Sequence, residues 1–166
     1  MLPSVEWLDK KLQEMDAQAD EARREELACK IVNDLQAYSE ADWNSLAQKV
    51  EEEAPEWNLL LIPCLKKVIC QEAFLQLAVL SQSEFEPVRK AASMAIINYE
   101  GFVNGKYRHY KGNCYEVLGV GRNTENKDWM IVYRSIANPH HIWCRPANMW
   151  LEVVRDGETR FTRIEE

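Results

Sequence analysis

Aromatic and basic side chains are concentrated between residues 107 and 145, and these residue types are the best suited to recognising a ligand. Aromatic rings beside guanidinium groups can sandwich a planar base, and arginine can hold an anionic group through paired hydrogen bonds. We therefore expect a ligand-binding face here for a nucleotide, a single strand of nucleic acid or an acidic peptide. The alternative is that the aromatic residues fill the interior of a small domain. The predicted site residues are Tyr107, His109, Lys111, Arg122, Tyr133, Trp143 and Arg145.

A zinc site is the next candidate, because His140, His141 and Cys144 are close in sequence. Zinc needs about four ligands in a tetrahedral set. Adjacent histidines on a strand point to opposite faces, so they would not share one ion. We expect no metal site and no cofactor.

A nucleophilic enzyme would need a reactive thiolate with an ordered base beside it. The sequence contains Cys114 and Cys144, but no spacing pairs either of them with a histidine. The segment Gly119-Val120-Gly121 lies inside a predicted strand and is not followed by a helix, so it does not match a dinucleotide-binding fingerprint. We predict no catalytic residues, and the sequence favours a role other than catalysis.

The charge of the chain changes sign near residue 104. The 166 residues carry a net charge of -7. Residues 1–104 hold ten basic and 19 acidic side chains, a net charge of -9, whereas residues 105–166 hold ten and eight, a net charge of +2. This shift predicts two domains, 1–104 and 105–166. It argues against non-specific nucleic-acid binding by the first domain only.

The first residues lack a basic segment followed by an apolar stretch, so we expect no signal peptide and a cytoplasmic location. The most apolar window, residues 59–80, is interrupted by Lys66, Lys67 and Glu72, which argues against a membrane span. The five cysteines form no CxxC pair, and we expect them to be reduced and buried.

The acidic part shows helical periodicity. Apolar residues recur at spacings of three and four, as at Val5, Leu8, Leu12 and Met15, and Ser39 offers an N-cap with Asp42 three residues later. Pro55, Pro63 and Pro87 each lie where a helix could begin, and we predict helices over 63–70, 72–81 and 87–98. We predict a helical bundle with weakly HEAT-like packing. Its acidic helix end could contact a protein partner through Glu51, Glu52 and Glu53.

From residue 105 the period changes to that of strands. We predict strands over 107–111, 114–122, 128–136 and 142–145, followed by two short strands that end near residue 164. In the third, Trp129, Ile131 and Tyr133 share one face. Short strands in so few residues favour closure into a small barrel. The predicted fold class is therefore segregated α+β.

The same region carries longer motifs. The stretch YRHYKGNCYEVLGVGR, followed by IVYRS, WCRPANMWLE and a final RF, resembles the bacterial domain-of-unknown-function family numbered 1653. The resemblance covers residues 105–164, implies an SH3-like barrel, and brings no settled activity. The chain departs from the family pattern at Asn123, where a histidine is common, and at Trp150, where phenylalanine is usual.

Together these features lead us to expect a non-enzymatic, intracellular binding or adaptor protein. Its helical domain would contact a protein partner, and its barrel would offer an aromatic and arginine-rich ligand face. One alternative is an inhibitor carried by a phage or mobile element, whose acidic helices imitate nucleic acid or block a basic groove. Another is a barrel that binds a nucleotide or nucleic acid. We expect no membrane partner, and the oligomeric state is open.

Overall fold

The computed structural model of the chain describes residues 5–102 and 105–164. Helices occupy the first part and strands the second, which confirms the predicted segregated α+β class. The chain divides into two compact units, residues 1–95 and 96–166. The boundary predicted from charge follows residue 104, and residues 103 and 104 lie outside the described residues, so this boundary stays a prediction.

The helical part is built from amphipathic segments. The residues spaced by three and four are the buried ones: Leu8, Leu12 and Met15 in the first helix, and Leu27, Ile31 and Leu35 in the second. Packing of these stripes against each other forms the core of the helical unit. The helices are α1 (Val5–Asp16), α2 (Glu21–Gln36), α3 (Glu40–Glu52), α4 (Pro55–Leu65), α5 (Gln71–Leu80) and α6 (Glu86–Ile97).

The predicted N-cap of α3 is confirmed. The Ser39 hydroxyl accepts from the backbone N–H of Asp42 at 3.3 Å, and the Asp42 carboxylate accepts from the Ser39 N–H at 2.8 Å. This reciprocal pair is a capping box, in which a short acid takes the place of glutamate. Such a cap stabilises a helix by about 1 kcal/mol.

The helix start predicted at Pro63 is wrong. Pro63 lies inside α4, which begins at Pro55 and ends at Leu65. Proline is favourable at the first position of a helix, and Pro55 already provides that start. The apolar run that follows Pro55 carries the helix on through Pro63, which forgoes a backbone hydrogen bond in the last turn only. The helices predicted over 72–81 and 87–98 are confirmed to within one residue as α5 and α6.

The sheet unit begins with a 3₁₀ helix, Glu100–Phe102, and contains a short helix, α7 (Ala147–Trp150). Its main sheet has five strands in the order β4-β3-β2-β1-β7, all antiparallel, and β5 and β6 form a separate hairpin. The strands are β1 (Lys106–His109), β2 (Cys114–Arg122), β3 (Trp129–Ser135), β4 (Ile142–Pro146), β5 (Val153–Arg155), β6 (Glu158–Thr159) and β7 (Phe161–Ile164).

The sheet differs from the expected barrel because it is not closed. Among the described residues β4 pairs only with β3, and β7 pairs only with β1. After β4 the chain enters α7, and β5 then pairs with β6 instead of extending the sheet. The two ends of the strand order therefore remain edges.

The two faces of the sheet differ in burial. One face, here called the inner face, carries the buried residues of alternate positions, among them Tyr107, Val117 and Ile131. The predicted alternation in β3 is confirmed, since Trp129, Ile131 and Tyr133 are buried there and the residues between them are half-buried. Trp150 of α7 is fully buried and contacts rings of the inner face. The opposite, outer face holds Glu116, Gly119, Gly121, Met130, Val132, Arg134 and Cys144.

Candidate functional site

The structure brings together three of the predicted site residues. His109 of β1, Tyr133 of β3 and Arg145 of β4 lie on the inner face, and each contacts the ring of Phe161 on β7. Strand register explains the meeting, because His109 is opposite Phe161 and Arg145 is opposite Ile131, which shares a face with Tyr133. We call this group, His109, Tyr133, Arg145 and Phe161, the Arg145 cluster.

The floor of the cluster is a layer of aromatic rings. Phe161 stacks on Trp150 with centroids 3.8 Å apart and planes at 4°. Tyr133 contacts Trp150 edge to face at 5.1 Å and Tyr115 at 5.4 Å. Aromatic pairs in such geometries stabilise a fold by about 0.5–1.5 kcal/mol each beyond the area they bury. The layer therefore fixes the rings against which the polar groups lie.

Arg145 is held in place by neutral groups. Its Nε donates to the Tyr133 hydroxyl at 3.3 Å, and its guanidinium carbon lies 5.8 Å from the centre of the Phe161 ring. Within residues 5–102 and 105–164, no carboxylate forms an ion pair with it. The half-buried guanidinium therefore has no acid beside it in the described part of the chain.

His109 lies beside this charge. Partial burial, and then the positive charges of Arg145, Arg160 and Lys111, lower the pKa of its imidazole below the ordinary value. Its Nδ1 accepts from the backbone N–H of Lys111 at 3.3 Å, which places the proton of the neutral ring on Nε2. These surroundings thus favour the neutral ring of His109, and a bound anion would favour its protonation.

Tyr107, a predicted site residue, is too deeply buried to contact a ligand directly. It is 4% exposed, its ring meets Trp150 edge to face at 5.3 Å, and its hydroxyl donates to the Gly101 carbonyl at 3.5 Å. Burial raises the pKa of this phenol. These contacts give Tyr107 a packing role under the cluster.

Trp143 lies at the rim of the same face. It is directly opposite Tyr133 in the register, and its side chain is 51% exposed. The ring of His141 meets it edge to face at 6.0 Å. The exposed indole is thus a flat surface next to the Arg145 cluster.

Arg122 lies apart from the cluster, whereas Lys111 borders it through its backbone N–H, which donates to His109. Arg122 ends β2, and its guanidinium lies 4.6 Å from the centre of the Trp129 ring. Lys111 follows β1 in a turn, where its ammonium lies 5.8 Å from the Tyr110 ring. Their predicted part in the site stays a prediction.

Sequence reasoning missed Phe161 and Tyr115, which complete the aromatic surroundings of His109 at 4.9 and 6.5 Å. The final RF of the motif string contained the only signal for Phe161. Its strand, β7, has four residues, too few for periodicity to assign a face.

The acidic helix end predicted to contact a partner is partly neutralised within α3. Glu53 forms an ion pair with Lys49 at 2.5 Å, and Glu52 accepts from the Gln48 amide at 2.8 Å. Glu51 and Glu52 are exposed. A role in partner binding stays a prediction for Glu51, Glu52 and Glu53.

All five thiols are free, but the expectation that they are buried is confirmed only for Cys64. Cys29 and Cys144 are exposed, and Cys70 and Cys114 are half-buried. Cys64 is buried, and burial raises its pKa to about 12. Cys144 is exposed because it lies on an edge strand.

No cluster of three His, Cys, Asp or Glu suited to a metal occurs in the part of the chain that the structure describes. Nor is any helix in that part long and apolar enough to cross a membrane.

Comparison with known proteins places the sheet region in a family. A family model described as protein of unknown function (DUF1653) matches residues 105–163, and residues 1–104 have no family match. A crystal structure of a DUF1653 protein from Bordetella bronchiseptica is 33% identical over 38% of this chain and 87% of that chain, with a TM-score of 0.34. A search of curated proteins finds no match.

The chain thus consists of a helical part followed by an open antiparallel sheet. On the inner face of that sheet, the Arg145 side chain lies against aromatic rings. Through residues 105–163 the chain belongs to the DUF1653 family, as its motifs indicate.

Proposed function

We propose that this protein is a non-enzymatic binding protein whose sheet captures an anionic group at the Arg145 cluster. The bound group would be a carboxylate or a phosphate. Arginine suits this task because its planar guanidinium offers paired donors that match the oxygens of either anion.

A comparison of neighbouring arginines carries the proposal. Arg134 meets Glu116 at 2.7 Å, Arg155 meets Glu158 at 3.0 Å, and Arg160 meets Glu152 at 2.5 Å. Arg145 has no such acid among the described residues, although it is half-buried. Charges removed from water are normally paired, so an unpaired arginine indicates a place for an external anion.

The surroundings of Arg145 favour binding in two further ways. Tyr133 fixes its Nε, so the terminal guanidinium nitrogens are oriented before a ligand arrives. Trp143 adds an exposed ring on the same face, which would suit a flat or apolar group attached to the anion.

Two thiols of the helical part are unsuited to nucleophilic catalysis. Burial raises the pKa of Cys70 to about 11 and that of Cys64 to about 12, so both are protonated near neutral pH. A protonated thiol is a poor nucleophile.

The test is a titration followed by NMR of arginine Nε–H and tryptophan Nε1–H signals. Acetate and inorganic phosphate serve as the probes, at constant ionic strength. We expect saturable shifts of the Arg145 and Trp143 signals, and their loss in Arg145→Ala.

Arg108→Ala is the matched control, because Arg108 lies on β1 next to His109 and points to the outer face. Its removal should leave the saturable shifts unchanged. Shifts of equal size at every arginine, without saturation, would mean a general salt effect and would refute the proposal.

A nucleotide is the alternative source of the same anion. If adenosine monophosphate binds at least tenfold more tightly than inorganic phosphate, the flat base contributes and the ligand class is nucleotide. Equal affinities would leave the anion alone as the recognised group.

A further inference from the structure

We infer that the open edge of β4 binds an extended, acidic segment of another polypeptide by strand addition, with an acidic side chain on Arg145. This inference rests on the proposed anion site and names its ligand class.

The first observation is that β4 is an edge. Among the described residues it pairs on one side with β3, and no strand lies along its other side. Proteins commonly protect such edges with charges, prolines or a covering element, because the unpaired N–H and C=O groups accept another strand. In β4, Ile142 is 62% exposed, Trp143 is 51% exposed and Cys144 is exposed. Apart from Arg145 and the terminal Pro146, the edge lacks this protection.

The second observation is that the unpaired arginine belongs to this strand. A residue placed opposite Arg145 on an added strand would have its Cβ about 4.5–5.5 Å away, within reach of the guanidinium for Asp or Glu. The residue two positions along would lie opposite Trp143 on the same face. An anion carried by a strand would thus reach Arg145 without any movement of the sheet.

The third observation is a pocket on the outer face. It has a volume of about 340 Å³ and is lined by Gly121, Arg122, Asn123, Thr124, Met130, Val132 and Cys144. Gly121 leaves it open, because a Cβ built on this residue meets no atom within 4 Å. Because side chains alternate between faces, the neighbours of the acidic residue would point to this side. The pocket therefore predicts apolar residues flanking the acidic one.

A second copy of this chain fits the edge less well. The sequence of β4 is Ile-Trp-Cys-Arg-Pro, which contains no carboxylate. Pairing of two β4 strands would leave both Arg145 side chains without an acid. Charge complementarity therefore favours an acidic segment over self-association.

The test uses a fluorescent peptide, Thr-Leu-Val-Glu-Val-Leu-Thr, whose sequence reads the same in both directions and so serves parallel and antiparallel addition. We expect saturable binding by fluorescence anisotropy. Glutamine in place of the central glutamate, or Arg145→Ala in the protein, should weaken it by about tenfold, as expected for one charged hydrogen-bonded pair. Arg108→Ala should bind the peptide as the wild type does.

Strand addition makes a sharper prediction through backbone methylation. Successive N–H groups of a strand point to opposite edges. One peptide is N-methylated at the glutamate and both leucines, and another at both valines. Only one of the two should lose binding, because only one set of N–H groups faces β4.

A further peptide variant tests the apolar flanks. Serine in place of both valines should weaken binding at least tenfold, because two apolar side chains no longer bury surface on the outer face. Loss with both methylated peptides or with neither, or no binding of the parent peptide, would overturn the inference. So would sedimentation showing that the protein alone is a dimer that Trp143→Glu dissociates. In each case saturable binding of free acetate at Arg145 would leave the proposed function standing.

Discussion

At the scale of single residues, Arg145 differs from Arg134 and Arg160 because no carboxylate pairs with it among the described residues. Arg134 and Arg160 lie on the same small sheet unit and each has a glutamate within 2.7 Å. Arg145 instead contacts the hydroxyl of Tyr133 and the ring of Phe161. The electrostatic consequence appears at His109, whose pKa is lowered first by burial and then by the charges of Arg145, Arg160 and Lys111.

The lowered pKa predicts a pH dependence of stability. Because the folded state disfavours protonated His109, stability is complete above the unfolded pKa of about 6.5 and is lost as the pH falls through the lower folded value. In His109→Asn, whose amide oxygen can accept the Lys111 N–H, we expect part of this loss to disappear. Urea unfolding near neutral pH and in mild acid measures it. Equal pH dependence in both proteins would contradict the assignment.

At the scale of elements, the connection before β1 is tightly packed. A Cβ added to Gly101 would lie 2.7 Å from Cε1 of Tyr99 and 3.3 Å from Leu151. Tyr99 is fully buried and cannot move aside freely. We expect Gly101→Ala to lower the free energy of unfolding by about 1–3 kcal/mol, the usual cost of overpacking.

Gly119→Ala is the matched control for this substitution. Its Cβ would meet no atom within 4 Å, so stability should change by less than about 0.5 kcal/mol. Urea unfolding followed on strand signals compares the two variants. A similar loss in both would show that glycine flexibility, and not the Tyr99 contact, sets the cost.

The elements also show what the sequence could predict. Alternation assigned the buried face of β3, and the Ser39 signal located the start of α3, because both depend on neighbours within one segment. Pro63 misled because an apolar run overrode its local preference. The Arg145 cluster joins residues from β1, β3, β4 and β7. Its geometry depends on strand register, which the spacing of residue types does not encode.

At the scale of the whole molecule, the change of net charge and the division into compact units give different boundaries between the helical part and the sheet part. The charge changes after residue 104, whereas the sheet unit begins at residue 96. The difference matters because Tyr99 and Phe102 are buried and contact each other at 4.9 Å.

We therefore predict that a fragment of residues 96–166 unfolds cooperatively and is at least about 2 kcal/mol more stable than one of residues 105–166, since two buried aromatic residues are lost. Chemical denaturation of both fragments measures the difference. Equal stability would support the boundary at residue 104.

The central claim, that an anion binds at Arg145, is tested most directly through the pKa of His109. NMR titration of its imidazole in sulfate and in chloride of equal ionic strength, for wild type and Arg145→Ala, gives the answer. The account predicts that sulfate raises the His109 pKa in the wild type and has little effect in the variant. The same pKa in both salts for the wild type, or an equal rise in both proteins, would contradict it.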